Sequence, residues 1–420
     1  MDQNTAALAH RDTHAKKLAR LADVAVRVGL NLRPGQDVLM TASIEALPLA
    51  RLITDAAYRA GATVVTTLFS DDQQTLSRFR HATPESFDHA PGWLFDGMAE
   101  AFRRGAARLA IVGDDPNLLA GQDSERVARA NRARSTAYRP ALELITASAI
   151  NWSLVPYASA AWARAMFPES TEAEALARLW DAIFAATRVD TADPVASWAA
   201  HNAVLMDRRR MLTAKRYAAL RFRGPGTDLT VGLADRHAWM GGSSTAMNGV
   251  TGNPNIPTEE VFTTPHASRT EGHVTATKPL SYQGTLIRDI RVRFQDGVIV
   301  EATASTGQDV LARMIGTDEG ARRLGEVALV PASSPISRSG LIFLNTLFDE
   351  NAASHIALGQ AYKKCFVDGD TLSEEDFVAR GGNRSLIHVD WMIGSAAVDV
   401  DGLDAAGAAE PVMRGGEWVS

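Results

Sequence analysis

A single cysteine, Cys365, occurs in the 420 residues, so no disulfide can form within the chain and packing alone must hold it together. Such cysteine poverty fits a reducing compartment. Lys363 and Lys364 precede Cys365 and would favour a thiolate, but no nearby histidine supplies a base, so a structural thiol is expected. Long apolar runs are missing too. No stretch of about 18 apolar residues is present to span a bilayer, and the opening segment MDQNTAALAHRDTHAKKLARLADVAVRVGL lacks the layout of a signal peptide. A soluble cytoplasmic protein with no membrane partner is expected. A basic surplus is likewise absent: 43 Lys and Arg face 49 Asp and Glu, for a net charge of −6. That balance argues against a nucleic-acid partner, because little positive charge is left to displace counterions. The cluster Arg208, Arg209, Arg210, with Lys215 and Arg216, reads as a solvated helix face. No G-x-G-x-x-G fingerprint follows any strand-like segment, so nucleotide binding has no support.

What is present is an ordinary globular composition, 46% hydrophobic and 22% charged, on a chain long enough for two domains. The first half alternates helix-period and strand-like segments. A helix from about Asp12 to Gly29 leads through LRPGQD to a strand near Val38–Thr41, a helix near Glu45–Ala60 and a strand near Thr63–Leu68. ARLAIVGDDPN and AINWSLVPY read as further strands, with a helix near Ser124–Arg139 between them. This grammar predicts an α/β N-terminal domain, residues 1–220, built on a largely parallel open sheet with helices on both faces. The stretch Thr171–Leu220 is helical in pattern. Beyond it, strands joined by turns dominate, among them DLTVGL, LGEVALVP and a hairpin turning at Asp296-Gly297. An α+β domain over residues 221–420 is expected, interrupted by one long helix from about Asp349 to Tyr362.

Chemistry gathers in that second half. In SLIHVDWMIGS, strand alternation puts Leu386, His388, Asp390 and Met392 on one face, opposite the apolar Ile387, Val389, Trp391 and Ile393. An imidazole and a carboxylate thus stand roughly 7 Å apart in a buried segment, which is costly unless they are paired or bind a metal. NPNIPTEEVFTTP sets the adjacent Glu259 and Glu260 between Pro257 and Pro265, where a cation would relieve their repulsion. RRLGEVALVP places Glu326 at the start of an apolar strand. On the expected helix, Asn351, His355, Leu358 and Tyr362 share a face. Glutamates, histidines and an aspartate at such positions form the N and O donor set that a pair of divalent ions needs, since carboxylates can bridge.

The segments IPTEEVFTTP, LGEVALVP, FLNTLFDENAASHIALGQAY and IHVDWMIGS together resemble the thermophilic-aminopeptidase (M29) family of metallo-aminopeptidases. The resemblance implies that Glu260, Glu326, His355, His388 and Asp390 are metal ligands and that Tyr362 is the active-site tyrosine. It also implies two divalent ions per subunit (Zn²⁺, Co²⁺ or Mn²⁺) in the C-terminal domain, and a homodimer enclosing a cavity onto which the active sites face. The activity that follows is release of N-terminal amino acids from peptides with a free N-terminus, by attack of a metal-bridging water. Glu259 is the candidate general base, and Tyr362 a donor to the tetrahedral intermediate. The rival reading is a mononuclear Fe(II) ring-cleaving dioxygenase on the same scaffold, using two histidines and one carboxylate. Such a site has no need of both Glu260 and Glu326.

Overall fold

The computed structural model describes residues 3–282 and 284–419. Its backbone divides into two compact units. One comprises Met1–His201 with Ser243–Pro257, the other Asn202–Gly242 with Thr258–Ser420. The sequence boundary near residue 220 falls at the first strand of the second unit, Ala219–Gly224.

In the first unit, four strands form one sheet: β1 (Val38–Ser43), β2 (Val65–Ser70), β3 (Ala107–Val112) and β4 (Trp152–Pro156). They lie in the order β2-β1-β3-β4, and every pairing is parallel, as the alternation of helix and strand predicts. Central β3 is nearly all buried while the edge strand β2 is half exposed. The apolar stripe of helix Gly92–Arg103, carrying Phe95, Met98 and Phe102, packs on Ala141 and Ile145 of helix Ser124–Thr146 and on Leu39. Side-chain caps fix where these helices begin: Asp123 accepts from the Arg126 N–H, and Thr171 and Glu174 close a capping box for helix Glu172–Ala186.

The second unit is built on two antiparallel sheets. The larger has eight strands, in the order Val298–Thr303, Arg291–Gln295, Pro265–Thr275, Thr227–Leu233, Ala219–Gly224, Asp399–Leu403, Ala409–Arg414 and Glu417–Trp418. Its outermost hairpin turns at Asp296 and Gly297, at φ 50° and 75°, the left-handed pair that an Asp-Gly turn supplies. The smaller sheet consists of β5 (Val261–Thr263), β6 (Leu324–Leu329), β7 (His355–Gly359) and β8 (His388–Met392), in the order β8-β7-β6-β5. One face of it presents Val261, Val327, Leu329, Ile356, Leu358, Val389 and Trp391 to a common core shared with Leu220, Phe222, Leu229 and Val231 of the larger sheet.

The expected long helix over Asp349–Tyr362 does not form. A single α-turn, Thr346–Asp349, capped by the Asn345 side chain, passes into a 3₁₀ turn, Glu350–Ala352, and the chain becomes extended at Ala353 (φ −166°). His355 therefore opens strand β7. The Asn351 amide ends the helix by donating from Nδ2 to Leu347 O at 3.0 Å, and Ser354 Oγ accepts from the Val330 N–H at 3.1 Å, tying the chain to the sheet. Arg208 and Arg209, expected on a solvated face, are half-buried, and the Arg208 guanidinium lies 4.7 Å from the Trp418 ring centroid.

Candidate metal centre

Strand register brings the charged side chains together. Ala357 of β7 pairs with Asp390 of β8 and with Glu326 of β6, so these three point to the same face of the small sheet. His355 pairs with Met392 on one side and Ala328 on the other, Ala328 pairs with Phe262, and Gly359 pairs with His388. Phe262, Glu326, His355, His388 and Asp390 thus share the face opposite the apolar core. Glu260 precedes β5 by one residue, and its carboxylate lies beside His355. Between the charged groups the floor is Ala328, Ala357 and Gly359. Gly359 is required there: its φ is +104°, and a Cβ would meet Ile387 O at 2.1 Å.

The donors converge. His355 Nε2 lies 3.2 Å from Glu260 Oε2, 3.5 Å from Glu326 Oε1 and 3.9 Å from Asp390 Oδ1. His388 Nε2 lies 3.4 Å from Asp390 Oδ1 and 3.8 Å from Glu326 Oε2. Glu326 consequently turns one oxygen to each imidazole, and Asp390 Oδ1 is shared between them. Two overlapping donor groups result, Glu260–Glu326–His355 and Glu326–His388–Asp390, each with its ligand atoms within 4.8 Å of one another.

These contacts leave three of the converging atoms without a hydrogen bond. Glu260 Oε2, His355 Nε2 and Asp390 Oδ1 are buried yet have no hydrogen-bond partner among the described residues. Three orphaned polar atoms aimed at one point in a protein interior are costly unless something satisfies them. A cation does so, and carboxylate oxygens with imidazole nitrogens suit Zn²⁺, Co²⁺ or Mn²⁺. The imidazoles are also set for it. His355 Nδ1 is 3.2 Å from Ala353 O and His388 Nδ1 is 2.7 Å from Gln360 O, so each Nδ1–H donates to a carbonyl and each Nε2 offers its lone pair to the cluster.

Without a cation the cluster takes up protons instead. Burial alone would lower the His388 pKa, but Asp390 and Glu326 carry it up to about 9. Burial likewise opposes protonation of His355, and Glu260 and Glu326 override it, holding the imidazole well above its ordinary value. Glu326 is raised by burial and by the charge of Glu260, whereas for Asp390 the burial effect is outweighed by His388, which holds it low.

Two further residues belong to this place. Tyr362 follows β7, and its ring lies 4.7 Å from that of His388 at an interplanar angle of 44°; burial and the charges of Glu326 and Asp390 hold its phenol protonated. Glu350, which the sequence reading passed over, is raised well above its ordinary value by burial and by the charges of Glu260 and Asp390. Its signal in the sequence was position alone, one residue before Asn351 in DENAASH. Glu259 is buried, and its N–H donates to Asn351 Oδ1 at 2.7 Å; its carboxylate is not part of either donor group. Asn351 thereby links Glu259 to Glu350, whose Oε1 accepts from Asn351 Nδ2 at 3.4 Å. Cys365 is buried and its thiol is pushed up to about 12 by that burial, which keeps it un-ionised.

The chain matches the thermophilic metalloprotease (M29) family over residues 14–418. Aminopeptidase T of Thermus thermophilus is 54% identical over 97% of the chain and 100% of its own length. Aminopeptidase 2 of Geobacillus stearothermophilus is 45% identical over 96% of the chain and 98% of its length. Among solved structures, wild-type AmpT from Thermus thermophilus superimposes with a TM-score of 0.92 at 53% identity, covering 96% of the chain and 99% of that structure.

Proposed function

The chain belongs to the thermophilic metalloprotease (M29) family, and on that premise we propose that it is a metal-dependent aminopeptidase whose centre is the cluster on the small sheet. Glu260, Glu326 and His355 would hold one divalent ion and Glu326, His388 and Asp390 a second. The observation that carries this reading is the set of orphaned, buried atoms, Glu260 Oε2, His355 Nε2 and Asp390 Oδ1, converging without a hydrogen-bond partner among the described residues. When bound, two such ions supply Lewis acidity and a water acidic enough to lose its proton near neutral pH. Everything else falls to the chain. Glu259 takes that proton and returns it to the leaving amine. Tyr362, neutral and beside His388, donates its O–H to the oxygen of the scissile carbonyl. Asn351 holds the Glu259 backbone in place and donates to Glu350 Oε1.

The iron dioxygenase alternative gains nothing from the cluster, because Glu260 and Glu326 both stand in it and the relatives are named aminopeptidases. A homodimer acting in the cytoplasm on peptides with a free N-terminus completes the proposal; the buried, free Cys365 suits a reducing compartment. Metal analysis of the purified protein, paired with turnover of leucine, arginine and methionine amides before and after chelation, tests it. Two equivalents of a divalent metal and loss of turnover on chelation are expected. Full turnover by metal-free protein would overturn it.

A further inference from the structure

Lys364 stands two residues beyond Tyr362 and is exposed. Its Nζ lies 5.2 Å from the centroid of the Tyr362 ring and 5.3 Å from that of Phe262. Both rings border the centre: Tyr362 packs on His388, and Phe262 shares the ligand-bearing face of the sheet through its pairing with Ala328. The ammonium is therefore held at the rim of the metal centre by two aromatic faces, which restrict a side chain that is otherwise freely mobile. Its neighbour is employed differently. Lys363 Nζ is bound by Glu374 Oε1 at 2.6 Å and Leu372 O at 2.9 Å, whereas Lys364 has no carboxylate within ion-pair distance among the described residues.

The electrostatics of the centre give such a charge a use. Glu260, Glu326 and Asp390 line the centre with carboxylates, and the Lys364 ammonium at its rim is a charge of the opposite sign held in place by two rings. A substrate with a negative end finds its attraction there. A short peptide has such an end close to its scissile bond. We propose that Lys364 receives the carboxylate of a short peptide substrate, making di- and tripeptides with a free C-terminus the favoured class; this rests on the aminopeptidase reading above.

Leu-Gly and its amide, Leu-Gly-NH₂, share everything except that carboxylate, and Leu-Asp-NH₂ carries one on a side chain instead. The readout is the ratio of kcat/KM for acid over amide, measured in wild type, K364M and K364R at low and high salt. One charge-assisted hydrogen bond corresponds to about a tenfold ratio. The ratio is expected to fall by that factor in K364M, to survive in K364R and to shrink with salt in wild type. If Leu-Asp-NH₂ responds to K364M as Leu-Gly does, the subsite accepts any nearby carboxylate; if it does not, the subsite reads the chain terminus. A ratio equal in wild type and K364M, or a parallel loss on Leu-Gly and Leu-Gly-NH₂, overturns the proposal while leaving aminopeptidase activity standing. Wild type that hydrolyses none of the three overturns both.

Discussion

Removal of metal should make the stability of this protein strongly pH-dependent between neutrality and pH 9. In the cation-free centre His388 binds a proton with a pKa of about 9, against an ordinary value of 6.5, and its side chain is only 19% exposed. A rise of that size corresponds to roughly 3 kcal/mol of stabilisation from the protonated form. The sign follows from linkage. A group whose folded pKa is raised contributes fully below its unfolded value, here 6.5, and the contribution is lost as pH climbs through about 9. His355 acts in the same direction. Glu326 and Glu350, also raised, are harder to ionise in the folded state and add to the loss as pH rises. Asp390, held low, contributes only above its ordinary 3.8 and loses that contribution at more acid pH, outside the window.

With cations bound, each Nε2 lone pair is used in coordination and no proton is left to lose, so the dependence should flatten. The assay is thermal unfolding of chelated protein at pH 6.5 and 9.5, with and without added Zn²⁺. For a domain of roughly 200 residues, ~3 kcal/mol is about 6–12 °C in Tm, so the chelated protein should melt lower by that much at pH 9.5. His388→Ala should reduce the difference, leaving the part that His355, Glu326 and Glu350 contribute. A chelated protein whose Tm is flat, or rises, across this window refutes the reasoning, because the five donors would then not be competing for protons at one place.

Glu259→Gln should keep both metals, measured by elemental analysis, and lose at least about 100-fold in kcat; near-normal turnover would move the proton-transfer role elsewhere, with Glu350→Gln the next variant to measure. Tyr362→Phe removes one donor to a developing oxyanion and should cost about 10²–10³ in kcat with a small change in KM. Ala357→Leu adds bulk on the floor between Glu326 and Asp390, so bound metal should fall below one equivalent although circular dichroism is unchanged.

The parallel sheet of the first unit was legible because its strands are apolar runs separated by helix-period segments and Gly or Pro punctuation. The Asp296-Gly297 hairpin was legible because only a few residue pairs accept two successive positive φ values. His388 and Asp390 were visible as charges two apart in an apolar strand, and Glu326 as one charge in another. The misreading of His355 has a physical origin. Ala, Leu, Glu and Gln in FDENAASHIALGQAY satisfy helix propensity, but propensity is a weak prior that tertiary context overrides. A strand signal was present as well: Ile356 and Leu358 alternate with His355, Ala357 and Gly359. It was masked because the second face is built of small residues, and a strand buried on both faces shows no polar alternation.

That masking is itself a consequence of the chemistry. A strand that must floor a cation site cannot carry large side chains on the ligand face, so Ala357 and Gly359 stand where an ordinary sheet would carry β-branched residues. The helix-like composition of the segment and the room above the sheet have one cause. Had Ala357 been valine, the strand would have been easier to recognise, and Glu326 and Asp390, directly across from it on either side, would have had less space between them for an ion. Where sequence propensity and observed structure disagree most sharply in this chain, the disagreement marks the proposed metal floor, as expected when local preference gives way to function.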